Sequence, residues 1–175
     1  DPAPRDPGRV TLRRLSRAEY DNTVRDLLGT EQRLGRTFLN DSPDLGFDNN
    51  ADLLSLSPAQ ADLYRRAAEA LAAEAILPPL RETIADCELG AADCVESVVT
   101  SFGARAYRRP LEEGEVSAYV GLFEAATQAG ATPDEALRTL LEAFLVSPHF
   151  LFRVELDPDP TSATPHPVGP YELAT

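Results

Sequence analysis

The sequence contains no lysine, methionine or tryptophan, and only two cysteines and two histidines. Without an initiating Met, the chain is expected to be a processed or trimmed piece of a longer protein. All sixteen basic residues are Arg, outnumbered by 29 carboxylates, so the net charge is −13. Nucleic-acid binding depends on neutralising phosphates, and a chain with this balance is repelled from them at long range, which sets nucleic acid aside as a partner. No apolar run reaches the roughly 20 residues that a membrane span needs, and no charged-then-apolar export segment stands at Asp1. The His and Cys content also weighs against metal and haem. A zinc site needs about four ligands at set spacing, and only His149 and His166 are there to join the cysteines. Covalent haem attachment calls for Cys-x-x-Cys-His, which does not occur, so this chain is expected to bind no haem. No Gly-rich phosphate cradle follows a strand, which removes nucleotide binding.

What is present points to helices. With 43% apolar and 26% charged residues the chain can bury a core. Ser16-Arg17-Ala18-Glu19, Ser57-Pro58-Ala59-Gln60 and Thr132-Pro133-Asp134-Glu135 each place Glu or Gln three residues after a hydroxyl, the pattern of a reciprocal helix cap. Behind them the apolar residues fall on one helical face: Tyr20, Val24, Leu27 and Leu28; Leu63, Ala67, Leu71 and Ala75; Leu137, Leu140, Leu141, Phe144 and Leu145. Val95, Val98, Val99, Phe102 and Ala106 predict a fourth helix, and Val116, Tyr119, Val120 and Phe123 a fifth. Gly29, Pro78-Pro79, Pro110, Gly130 and Pro148 supply stops. No stretch alternates with period two. The expected class is therefore all-α, about five amphipathic helices in an irregular bundle, with one long ordered loop at 30–56 and no sheet. The expected layout is an N-terminal helical domain over 1–86, a second over 87–156, a Pro-rich linker over 157–170, and the start of a truncated helix at 171–175.

Cys87 and Cys94 are even in number and close in sequence, which suits a disulfide in an oxidising compartment; two unpaired buried thiols are the alternative. Closing so short a ring stabilises a fold by roughly 2.5 kcal/mol on the chain-entropy estimate. The loop Asn40 to Asp52 gathers Asp41, Asp44, Asp48, Asn49 and Asp52 around Gly46, an oxygen-rich set that fits calcium loosely and fits turn chemistry or pairing with Arg as well. Its Phe47, beside Leu45 and Leu53-Leu54, is expected to be buried. Arg105, Arg108 and Arg109 end the fourth helix. They suit structural ion pairs at the negative end of the helix dipole, and an anion clamp is the alternative. Because Arg108 and Arg109 differ by about 100° around the helix, at least one should be buried and matched by carboxylates or helix-end carbonyls. The cluster Arg5, Arg9, Arg13, Arg14 and Arg17 reads as an exposed, solvated N-terminal stretch. His149 has no obvious nucleophile nearby in sequence, His166 lies in the Pro-rich linker, neither reads as a catalytic base, and no catalytic residue is assigned.

The run from Arg13-Arg14-Leu15-Ser16 to Asp26-Leu27-Leu28-Gly29, followed by Gly46-Phe47-Asp48-Asn49-Asn50-Ala51, resembles the opening domain of exported bacterial proteins built from serial domains of unknown function. These occur in planctomycetes and myxobacteria, often together with cytochrome c modules. Arg105-Ala106-Tyr107-Arg108-Arg109-Pro110 and Leu145-Val146-Ser147-Pro148-His149-Phe150 are similar to the second domain of that group, and Tyr171-Glu172-Leu173-Ala174 to the start of a third. His149 stands where the group usually has Arg, which argues against a shared role for the imidazole. The resemblance implies an extracytoplasmic protein, periplasmic or cell-surface. Its partners would be the C-terminal remainder of its parent and a cytochrome c module. The leading expectation is a non-catalytic scaffold or interaction module without a cofactor of its own, unless calcium occupies the 40–52 loop. The alternative is the N-terminal half of an extracytoplasmic enzyme, redox or hydrolytic, whose active site lies with the rest of the parent.

Overall fold

A computed structural model describes residues 12–39 and 56–153. Asp41, Asp44, Asp48, Asn49 and Asp52, with Phe47, His166, the Pro-rich linker and residues 171–175, lie outside the described residues.

The first helix, α1 (Arg17–Leu28), starts where its cap predicts. Ser16 accepts from the Glu19 N–H, and the Glu19 carboxylate accepts from the Ser16 N–H at 2.8 Å. It stops at Gly29, whose φ of 77° places it in the left-handed region that favours glycine. A 3-10 turn (Leu34–Thr37) then folds back onto α1. The Gly35 N–H donates to Asp21 at 2.7 Å, and Arg17 donates to the Gly35 and Arg36 carbonyls, both at 2.7 Å. A Cβ at Gly35 would stand 2.4 Å from the Arg17 carbonyl oxygen, so only glycine allows this approach.

The second helix, α2 (Pro58–Ala75), is capped by Ser57, but the reciprocal half of its expected box is not made. Gln60 instead turns its Oε1 to the Leu39 N–H at 3.1 Å, because a long-range donor competes for it. Four more helices complete the long elements and their connections: α3 (Leu80–Ile84), α4 (Ala92–Tyr107), α5 (Glu113–Gln128) and α6 (Pro133–Val146). The box on Thr132 and Glu135 forms as expected, and a further one on Glu112 and Glu115 opens α5.

The all-α class stands, with five substantial helices among the described residues and short α3 and α7 (Pro148–Leu151) beside them. One element departs from the expected absence of any sheet. Strand β1 (Arg13–Arg14) pairs antiparallel with β2 (Phe152–Arg153), Arg13 opposite Arg153 and Arg14 opposite Phe152, and the Leu15 N–H continues the pairing to the Leu151 carbonyl at 2.8 Å. Two residues cannot display a period-two pattern, so the ladder is invisible in sequence and arises only when the two ends of the described fold meet.

Helix α6 sits at the centre, packed most extensively against α2 and α5. Leu137, Leu140, Leu141, Phe144 and Leu145 are fully enclosed. The buried side of α2 is Ala67, Ala68, Leu71, Ala72 and Ala75, whose four alanines let the two helices approach closely around the single larger Leu71. Buried residues from both sides of position 86 line one continuous hydrophobic core. Within it stand two aromatic groups. Tyr20, Phe38, Tyr64 and Phe150 touch through centroid distances of 4.5 to 5.9 Å, and Phe144 gathers Phe102, Tyr107 and Tyr119, stacking on Tyr119 at 3.8 Å.

Candidate functional site

The last turn of α4 sends three guanidinium groups in three directions. Arg105, on the outer side, donates to the Asp26 and Leu27 carbonyls at 2.8 and 3.0 Å. These are orphan acceptors at the end of α1, where a cation also complements the helix dipole. Arg108 is the C-cap of α4 and holds the left-handed conformation at φ 59°, a position that costs a residue with a Cβ about 1–2 kcal/mol. That turn aims its side chain at α7 and β2. It donates to the Phe150 and Phe152 carbonyls at 2.8 and 3.0 Å, with longer contacts to Ala106 and His149. Burial, then the charges of Arg153 and Arg13, lower its pKa to about 10 against the pull of Glu19, so it stays protonated at neutral pH. Arg109 forms a two-pronged pair with Glu115, both contacts 2.7 Å, and lies 5.6 Å from the centre of the Tyr107 ring. Glu115 also accepts from the Glu112 N–H at 2.8 Å, so one carboxylate caps α5 and receives Arg109. The Arg109 hydrogen bonds hold Glu115 down at about 2 against its partial burial, helped by the Glu112 N–H and nearby charge.

A second knot lies at the strand pair. Glu19 receives both prongs of Arg13 at 2.7 and 2.8 Å, and Arg153 stands 4.0 Å away. Burial raises the Glu19 pKa, but Arg13, the Ser16 N–H and Arg153 together overcome it and bring the value to about 2. Arg14 is 4% exposed and donates to the Tyr64 hydroxyl at 2.5 Å and to the Leu15 carbonyl at 3.1 Å. This corrects the solvated reading for Arg13, Arg14 and Arg17, whose side chains tie β1 and α1 into the fold. The signal that existed was Glu19 three residues after Ser16, legible as a cap; its pairing with Arg13 and the roles of Arg108 and Arg153 depend on the meeting of β1 and β2.

Cys87 and Cys94 are bonded, S–S 2.01 Å and Cα–Cα 5.8 Å, tying the segment after α3 to the first turn of α4. His149 is half-exposed, with Nε2 3.9 Å from Glu115 and its ring 5.1 Å from Tyr107. Tyr107 and Tyr119 share a hydroxyl contact beside it. Among the described residues, no group of three or more His, Cys, Asp and Glu side chains is close enough to hold a metal ion. No described helix is long and apolar enough to cross a membrane.

What the fold defines is an all-α protein whose candidate site residues Arg105, Arg108 and Arg109 face main-chain carbonyls and one carboxylate. Residues 13–77 match the family model PSD3, a protein of unknown function (DUF1587), and residues 94–155 match PSD5, a protein of unknown function (DUF1595). No curated protein and no solved structure matches the chain. The first match runs from β1 to just beyond α2, and the second from the disulfide through β2.

Proposed function

We propose that this chain is a non-catalytic helical scaffold or interaction module of a secreted or cell-envelope bacterial protein, packing against the C-terminal remainder of its parent. The observation that carries the reading is the engagement of Arg105, Arg108 and Arg109 by the fold itself. A ligand clamp needs guanidinium donors converging on a concave, water-excluded place. Here the three diverge: Arg105 and Arg108 each join segments far apart in sequence, and Arg109 braces the Glu115 carboxylate that caps α5. The order of the two domain matches, PSD3 before PSD5, supports kinship with the exported planctomycetal and myxobacterial serial-domain proteins that the sequence resembles. The Cys87–Cys94 bond supports an extracytoplasmic place, since disulfides persist in oxidising compartments. In that setting any haem belongs to a cytochrome c partner, because this chain has no Cys-x-x-Cys-His.

The test is Arg108→Ala in the full-length parent, with melting temperature and activity or ligand affinity measured together. The scaffold reading expects a lower melting temperature and an unchanged activity per folded molecule. A protein that melts as before yet has lost affinity or activity would overturn it in favour of the N-terminal half of an extracytoplasmic enzyme.

A further inference from the structure

The two stretches that match separate family models, residues 13–77 and 94–155, differ in what they pack against. In the second, α5 lies along α6, α4 packs on both, and α7 packs on α4 and α6, so these helices bury apolar faces within their own segment. Phe144 of α6 meets Phe102 and Tyr107 of α4 and stacks on Tyr119 of α5.

The first segment has no such helix pair. Its long helices α1 and α2 make no substantial backbone contact with each other, and beside α1 its own segment supplies only the 3-10 turn. Tyr20 of α1 reaches Tyr64 of α2 at 5.6 Å, but the group those rings form is completed by Phe150 of the second segment, 5.9 Å from Tyr20. An amphipathic helix without a partner is marginal in water, because its apolar stripe needs another surface to cover it. For α2 the principal neighbour is α6. At the end of α1 the Asp26 and Leu27 carbonyls accept from Arg105 of α4, at 2.8 and 3.0 Å. Strand β1 pairs with β2, and the Leu15 N–H donates to the Leu151 carbonyl at 2.8 Å. A ladder two residues long has no stability by itself. Helix α1, helix α2 and strand β1 are therefore each completed by residues of the other segment.

We infer that residues 13–77 present an interaction surface, formed by the buried side of α2, the end of α1 and strand β1, whose partner is the 94–155 segment, and that they hold their structure only while that partner is folded. The surface calls for a helix with a continuous Leu and Phe stripe, a strand edge, and a guanidinium set at the last carbonyls of α1. The dependence runs from the first segment to the second, because residues 94–155 contain helix pairs of their own.

The test uses the whole chain and reads hydrogen exchange helix by helix. In denaturant rising towards the unfolding midpoint, the amides of α1 and α2 should lose protection before or together with those of α4, α5 and α6. Amides of α1 or α2 that stay protected where α4 to α6 already exchange overturn the inference. A substitution placed at a distance supplies the second readout. Phe123 of α5 is buried, and α5 makes no substantial contact with α1 or α2. Phe123→Asp sets a carboxylate into the core of the second segment and should unfold it. In that variant α1 and α2 should exchange at the rate of unfolded chain, although neither packs against the altered residue. Protection kept by α1 and α2 after α4 to α6 have lost theirs overturns the inference, and if the variant leaves α4 to α6 folded, the order of loss in denaturant decides.

Discussion

The end of α4 and the outer face of α2 both carry arginines beside carboxylates, yet they do different things. On α2, Asp62, Arg65, Arg66 and Glu69 pair three or four residues apart along one exposed helix, contacts any solvated helix makes. At α4, Arg105 reaches back 78 and 79 residues to α1, and Arg108 reaches forward 42 and 44 residues to α7 and β2. The first set is screened by water and stabilises one helix weakly. The second satisfies main-chain acceptors on distant segments and fixes where those segments lie, so sequence proximity of charges is a poor guide to what they hold together.

The largest effect expected from this difference is at Arg108. Arg108→Ala leaves the Phe150 and Phe152 carbonyls without their donor and should cost about 2–4 kcal/mol in chemical denaturation, since hydrogen bonds to a charged group contribute about 1.5–3 kcal/mol each and are not additive. Arg108→Gly loses the same contacts but tolerates φ 59°, so it should be about 1 kcal/mol more stable than the Ala variant. Equal stability of the two would show that the left-handed turn is not maintained.

Next is Gly35→Ala. The new Cβ meets the Arg17 carbonyl and Asp21, so the 3-10 turn must withdraw from α1, at about 1–3 kcal/mol. Hydrogen exchange should then rise at the Gly35 amide.

Acid pH tests the two carboxylates at the knots. Glu19 and Glu115 are both held near 2 in the fold, below the ordinary glutamate range. A lowered native value means that the stabilisation is present above about pH 4.5 and is lost as pH falls towards about 2. Because both groups keep some solvent contact, the loss should be about 1–2 kcal/mol for each. Glu19→Gln with Glu115→Gln should flatten the melting temperature over that window. Asp62 is also drawn down by Arg65 and Arg66, but it stands on the solvated face of α2. If the acid loss survived the double substitution and vanished in Asp62→Asn, the contrast between the two regions would be reversed.

The smallest effect closes the comparison. Arg65→Ala on α2 should leave the melting temperature where it was, despite Arg65 contacting both Asp62 and Glu69.

Much of this was legible in sequence because it is local. Capping at Ser16 and Thr132, the stop at Gly29, and the apolar faces of α1, α4 and α6 depend on residues within a turn or two of one another. The Cys87–Cys94 bond also joins close neighbours. Where a local pattern met a long-range competitor, the competitor decided: Gln60 left its cap for Leu39, and Arg14, read as solvated, became enclosed beside Tyr64. The strand pair and the reach of Arg105 and Arg108 across the chain appear only when segments far apart in sequence meet, because burial and hydrogen-bond pairing depend on what surrounds a side chain in space. By itself the sequence determined an acidic, Arg-only helical chain with its principal helix starts and stops; only the tertiary structure decided which arginines lie inside it and what they hold together.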